Sequence, residues 1–196
     1  MNSIIQKAVH SGQGVIGLQK NDIILTSFPK SGNTWVRFFF CNLISIYEWG
    51  RKTVDFTTLD QTMPELGIDN LLIPWKHDTI PRIVKTHKHF WSIFQKHKII
   101  LIVREPRDVM VSYYYFETAK EKPRFSGTFS EFIRHRKFGL EPWFKQYQSW
   151  IKYATVLLTY EDLKKDDISE FSRMLKCLDI SIDTEIVKLA AEKSRF

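Results

Sequence analysis

The sequence predicts an α/β fold, a central parallel sheet flanked by helices on both sides to make three layers. Three observations predict it. Short apolar runs without polar alternation recur along the chain, the pattern of strands buried on both faces. Helical patterns separate those runs, as parallel strands require. The first run also passes through a glycine-bearing turn straight into a helix. At 196 residues the length suits one domain spanning 1–196.

Taken in order, the strands are expected at residues 22–28, 82–86, 99–104 and 155–159, each apolar through its middle. The helix at 32–47 is apolar on much of its circumference. The helix at 106–117 opens on Pro106, where the missing N–H costs nothing. Thr128 followed by Glu131 has capping-box spacing and starts a helix over 128–135. Helices over 142–153, 168–178 and 184–192 complete the set. Residues 53–81 carry Pro64, Pro74 and Pro81 and only weak periodicity. That stretch reads as a long, partly irregular excursion of the kind that covers a binding site.

Composition narrows the function. A hydrophobic fraction of 43% with 14% aromatic residues argues against disorder. Cys41 and Cys177 are far apart and form no CxxC, which excludes a disulfide framework and a cysteine-based zinc site. No run of 18 apolar residues is present, and the first residues lack the apolar core of a signal peptide. We therefore expect a soluble, cytoplasmic protein with no membrane span. Its formal charge of +7 suits an anionic partner. The basic residues are dispersed rather than blocked, so a nucleic-acid tail is not expected.

The strongest local signal is Ile23-Ile24-Leu25-Thr26-Ser27-Phe28-Pro29-Lys30-Ser31-Gly32-Asn33-Thr34-Trp35. A strand, a tight turn and a helix in immediate succession aim backbone N–H groups and the positive helix end at one anion. The spacing follows a Walker A loop, which makes the expected fold P-loop-like and nucleotide-binding. Two positions depart from that pattern: Ser27 replaces the first glycine, and Asn33 replaces the usual lysine while Lys30 lies inside the loop. A nucleoside triphosphatase would also end the 99–104 strand near a magnesium-binding carboxylate. Here that end is Arg104, a cation suited to holding an anion without a metal.

Residues just past the carboxyl ends of parallel strands meet at the binding crevice. Lys85 and His87 therefore open towards the same cleft as Lys30. A neutral imidazole takes a proton from a hydroxyl near neutral pH. His87 is preferred for that work over His89 by its place after a strand, and His10, His77, His97 and His135 take structural or solvated readings. Arg104 ends a strand, and Ser112 lies about two turns into the following helix, so both can face one ligand.

Together these segments resemble the cytosolic-type sulfotransferases that use 3′-phosphoadenosine 5′-phosphosulfate (PAPS). The family's 5′-phosphosulfate loop is similar to Ser27 through Trp35. Its 3′-phosphate segment is similar to Val103-Arg104-Glu105-Pro106-Arg107-Asp108-Val109 through Ser112-Tyr113-Tyr114. Lys85-Thr86-His87 matches the segment between them, and Thr159-Tyr160-Glu161-Asp162-Leu163 resembles the family's YEDL stretch. The resemblance implies PAPS as co-substrate, its desulfated form PAP as product, and no metal. It implies that Lys30 stabilises charge on the leaving oxygen while Ser31, Gly32, Asn33 and Thr34 cradle the 5′-phosphate. Trp35 would pack near the adenine, with Tyr160 beside the nucleotide. Arg104 and Ser112 would hold the 3′-phosphate. His87 would be the general base, with Lys85 assisting.

Family members also carry a basic Arg-Lys-Gly segment beyond the point matching Lys193-Ser194-Arg195-Phe196, and the present sequence has none. The expectation is a C-terminally short member, or one completed by a partner subunit. Lys52-Thr53-Val54 is similar to the family's dimerisation motif but stands far from its place, so the match is taken as chance, and a homodimer is left open on other grounds. The expected activity is transfer of a sulfuryl group to a hydroxyl or amine of a small acceptor. Phe56, Phe90, Trp91, Phe116 and Trp143 are candidate walls of an apolar acceptor pocket. Two rivals remain, a non-catalytic PAP- or PAPS-binding protein of the same fold and a P-loop kinase, against which Arg104 speaks.

Overall fold

A computed structural model describes residues 17–50 and 52–195. Four strands, β1 (Ile23–Ser27), β2 (Ile83–Thr86), β3 (Lys98–Val103) and β4 (Val156–Thr159), form one parallel sheet in the order β2-β1-β3-β4. The register sets Thr26 of β1 beside Thr86 of β2 and Leu101 of β3. All four carboxyl ends therefore lie along one edge of the sheet.

The helices are α1 (Asn33–Glu48), α2 (Phe56–Thr62), α3 (Pro106–Thr118), α4 (Phe129–Arg134), α5 (Leu140–Trp150), α6 (Tyr160–Lys165), α7 (Asp167–Cys177) and α8 (Thr184–Lys193). Alternation along the strands sorts the core into two layers. Ile23 and Leu25 of β1, with Ile100 and Ile102 of β3, pack against Phe39 of α1, Phe171 of α7 and Ala190 of α8. Ile24, Val84, Ile99 and Leu101 point the other way, onto Phe94 and Trp150. The expected three layers are present. A third cluster joins Phe28 to Val109, Met110 and Tyr113 of α3 and to Phe132 of α4, fixing α3 beside the loop after β1.

The strands fall within about a residue of their expected limits. The capping box forms as its spacing predicts, with Thr128 and Glu131 each accepting the other's backbone N–H. Two expectations change. The helix placed at 142–153 begins at Leu140, because Pro142 is accommodated in its first turn, and it tightens to a 3-10 turn over Ile151–Tyr153. The excursion at 53–81 contains α2, capped by the Asp55 side chain accepting from Thr58 N–H. Arg37 of α1 ties it down, donating to Asp60 and to the Met63 carbonyl oxygen, each at 3.1 Å. At the opposite edge of the sheet the buried pair Arg82–Asp22 clamps the starts of β1 and β2. No helix among the described residues is long and apolar enough to cross a membrane.

Candidate active site

Each strand delivers one of the expected residues to the same edge. Lys30 follows β1, His87 follows β2, Arg104 follows β3, and Tyr160 follows β4. The loop after β1 gets its shape from two residues with positive φ, Lys30 at 68° and Gly32 at 104°. Gly32 caps α1 without any side-chain hydrogen bond, and the first turn of α1 holds no acidic residue. The positive end of a 16-residue helix thus meets no acidic residue of its own first turn.

Arg104 sits over this loop. Its Nη1 donates to the Lys30 carbonyl oxygen at 3.3 Å, and its guanidinium carbon lies 4.3 Å from the centre of the Tyr160 ring. Asp108 approaches only to 3.8 Å and is largely exposed, so it compensates little of the charge. Because Asp108 reaches Arg104, the α3 face that carries Asp108 and, one turn on, Ser112 looks towards the guanidinium. Tyr160 also meets Trp35 edge-on at 5.8 Å. These two rings border a cavity of about 330 Å³ closed further out by Leu163, Lys164 and Arg195.

Buried polar atoms normally have partners, so the exceptions are informative. Among the described residues Ser31 Oγ, Asn33 Oδ1, Trp35 Nε1, Arg37 Nε and Arg104 Nε are buried without one. Four of the five belong to the loop, the start of α1 or the cation above them, and Arg37 lies at the anchor between α1 and α2. A Cβ built on Gly32 would stand 2.8 Å from the Tyr160 ring, so only glycine lets that ring approach the cradle. An anionic nucleotide end fits this donor set, which supplies hydroxyl, indole and guanidinium donors beside a helix N-terminus.

His87 Nδ1 lies 2.7 Å from the Ser27 carbonyl oxygen. A carbonyl only accepts, so Nδ1 carries the hydrogen and Nε2 keeps its lone pair. Burial lowers the His87 pKa and nearby Lys85 and Arg37 lower it further, against the Ser27 contact and Glu65, which raise it. Lys85 is held by Glu65 at 2.7 Å, so its charge is already paired. Among the described residues Lys30 has no such partner carboxylate. Its pKa falls through burial first and then through Arg104 and Lys120. Its ammonium stands 4.5 Å from the centre of the Phe116 ring.

Of the five candidate pocket walls, only Phe116 touches a site residue in this way. Phe90 stacks on Tyr153 at 3.7 Å within the far layer, and Trp91 lies over Phe94. Trp143 stacks on Tyr147, and Phe56 meets Phe38 edge-on. Glu65 and Lys120 were not singled out in the sequence, although the four-residue step from Phe116 to Lys120 is the helical spacing that exposes it.

Comparison with known proteins gives a consistent result. A family model described as "Sulfotransferase domain" matches residues 20–196. The Mus musculus "Sulfotransferase 1 family member D1" is 34% identical over 202 residues, covering 90% of this chain and 65% of the relative. "Sulfotransferase 2A1" of Rattus norvegicus is 30% identical, covering 91% of this chain and 66% of the relative. The chain thus spans just under two thirds of the length of these relatives. Among solved structures, a mouse sulfotransferase complexed with PAP superposes with a TM-score of 0.69 at 20% identity, covering 95% of this chain and 71% of the other. Retinol dehydratase in complex with retinol and PAP gives 0.68 at 17%, covering 95% and 68%. These two share the fold.

Proposed function

The chain belongs to the sulfotransferase family, and on that premise we propose that it transfers a sulfuryl group from PAPS to a hydroxyl or amine of a small acceptor. The observation that carries this reading is the set of buried, unpartnered donors on Ser31, Trp35 and Arg104 beside the α1 N-terminus. PAPS, when bound, supplies an activated sulfuryl group on a 5′-phosphate.

The residues divide the remaining work. The Ser31–Thr34 backbone and hydroxyls hold the 5′-phosphate, with the α1 N-terminus behind them. Arg104 and Ser112 hold the 3′-phosphate. Trp35 and Tyr160 border the adenine. Lys30 meets the oxygen on which charge accumulates as its bond to sulfur breaks. His87 Nε2 accepts the acceptor's proton as the new bond between oxygen and sulfur forms. Lys85 stays on Glu65 and contributes to the field that keeps His87 neutral. The group transferred is anionic, so fixed positive charge and in-line positioning provide most of the acceleration.

Calorimetric titration with PAP in EDTA tests the reading. Micromolar or tighter binding, weakened at least tenfold for adenosine 5′-monophosphate, is expected. Absence of PAP binding overturns it.

A further inference from the structure

Beside the proposed leaving-group lysine stands a second cation, Lys120, and we infer that it selects acceptors carrying an anionic group on an aromatic or apolar body. The inference rests on the sulfotransferase reading above and names the acceptor class for that site.

Two ammonium groups share the Phe116 ring: Lys30 Nζ at 4.5 Å and Lys120 Nζ at 3.9 Å from its centre. Phe116 is 45% exposed, so the ring offers an open apolar face next to both charges. An acceptor whose hydroxyl reaches the sulfuryl group between His87 and Lys30 would have this ring as a face for its body.

The Lys120 charge is only partly compensated. Its neighbour Glu117 is fully buried, and Arg124 grips both carboxylate oxygens, Nε at 2.5 Å from Oε2 and Nη2 on Oε1. Lys120 reaches Oε1 at a longer 3.3 Å, and its side chain is 33% exposed. One carboxylate therefore faces two cations, which leaves a net positive charge at the ring. The position also separates Lys120 from the proposed 3′-phosphate site. Ser112 and Lys120 are eight residues apart along and just past α3, about 12 Å at helical rise. The 3′-phosphate end of α3 is thus remote from Lys120, whereas Phe116 is adjacent. A carboxylate or sulfate on the acceptor is attracted there, and an ammonium is repelled.

The test compares three phenols of one shape: 3-(4-hydroxyphenyl)propionate, 4-propylphenol and tyramine. Their binding is measured by calorimetry, with and without PAP, to the wild type, Lys120→Gln and Lys120→Glu. The wild type is expected to bind the propionate about tenfold more tightly than 4-propylphenol, and tyramine least. Lys120→Gln should bring the three within about twofold, and Lys120→Glu should reverse the order. Arg124 still neutralises Glu117 in Lys120→Gln, so that variant keeps its fold. An order that ignores the substitutions, no preference in the wild type, or no binding of the propionate overturns the inference. A lowered unfolding midpoint for Lys120→Gln with an unchanged order assigns Lys120 to Glu117 alone and overturns it too. PAP binding with sulfation of 4-propylphenol but no charge preference leaves the family reaction standing. Absent PAP binding defeats that reaction, and the charge order without PAP still decides Lys120.

Discussion

The Nδ1 of His87 hydrogen-bonds to the Ser27 carbonyl oxygen at 2.7 Å, which couples the base after β2 to the last residue of β1. This contact fixes the tautomer and leaves Nε2 as the basic nitrogen. His87→Ala should lower kcat by about 10²–10⁴-fold, the range of a general base, while PAP affinity changes little. Equal losses of both would remove His87 from that role.

The pH dependence follows from the same group. The His87 pKa is lowered from 6.5, chiefly by burial. The imidazole is then neutral and competent at pH 7, and the acid limb of kcat lies below pH 6.5. Stability follows the same sign. The unfolded chain binds the proton more readily, so this contribution is complete above the unfolded pKa and is lost as pH falls through and below it. A limb centred above pH 7 would contradict the burial of His87.

Arg104→Ala should weaken PAP far more than adenosine 5′-phosphosulfate, which lacks the 3′-phosphate. Charge-assisted hydrogen bonds contribute about 1.5–3 kcal/mol each, so a loss of 10- to 100-fold for PAP is expected. Competition binding with the two nucleotides reads the ratio. Uniform weakening would place Arg104 at the loop, through its bond to the Lys30 carbonyl, rather than at the phosphate.

Cys41 is buried and its thiol is pushed up to about 11, mainly by burial, whereas Cys177 is exposed. A disulfide reagent at pH 8 should therefore titrate one thiol in the native chain and the second only on unfolding. Cys177→Ser should abolish the fast phase. Two fast thiols would mean that the α1 layer opens readily.

Much of this site was legible in the sequence because the residues that build it are local. Apolar runs without alternation marked the strands, and Pro29, Ser31 and Gly32 marked the turn. The rule that strand ends converge then brought Lys30, His87 and Arg104 together, while Tyr160 came only from the family resemblance. Contacts set by tertiary packing were not legible. Helix α2 depends on Arg37 reaching Asp60 and Met63 from another helix. The pairing of Lys85 with Glu65 crosses twenty residues of weak periodicity. Helix α6 is a single short element of six residues, below the length at which periodicity speaks. Which aromatic ring meets a site residue was not legible for a similar reason. Phe90 and Trp143 are as apolar as Phe116, and only packing decides which of them faces the cleft.

Arg82 and Asp22 form a buried ion pair, Nε to Oδ1 at 2.9 Å and Nη2 to Oδ2 at 2.7 Å, and Arg82 also donates to the Leu71 and Gly17 carbonyl oxygens. Removing one partner leaves an uncompensated buried charge. Arg82→Met should cost about 3–5 kcal/mol in denaturant unfolding, and adding Asp22→Asn should recover part of that loss. A single variant within about 1 kcal/mol of the parent would show that water reaches the pair.

Gly32→Ala tests the cradle itself. At φ 104° an alanine is strained, and its Cβ would meet the Tyr160 ring at 2.8 Å. The left-handed conformation costs about 1–2 kcal/mol for an L-residue, and the ring must also move. Tyr160 is the surface on which Arg104 rests at 4.3 Å, so displacing it shifts the cation as well. The expected result is a lowered unfolding midpoint together with a loss of PAP affinity greater than tenfold. Tyr160→Ala combined with Gly32→Ala separates the two causes. It removes the clash but retains the backbone strain, so stability should recover in part while PAP affinity stays low because Arg104 has lost its support. Full recovery of affinity in the double variant would show that Tyr160 only obstructs, and that Arg104 is held by its bond to the Lys30 carbonyl alone.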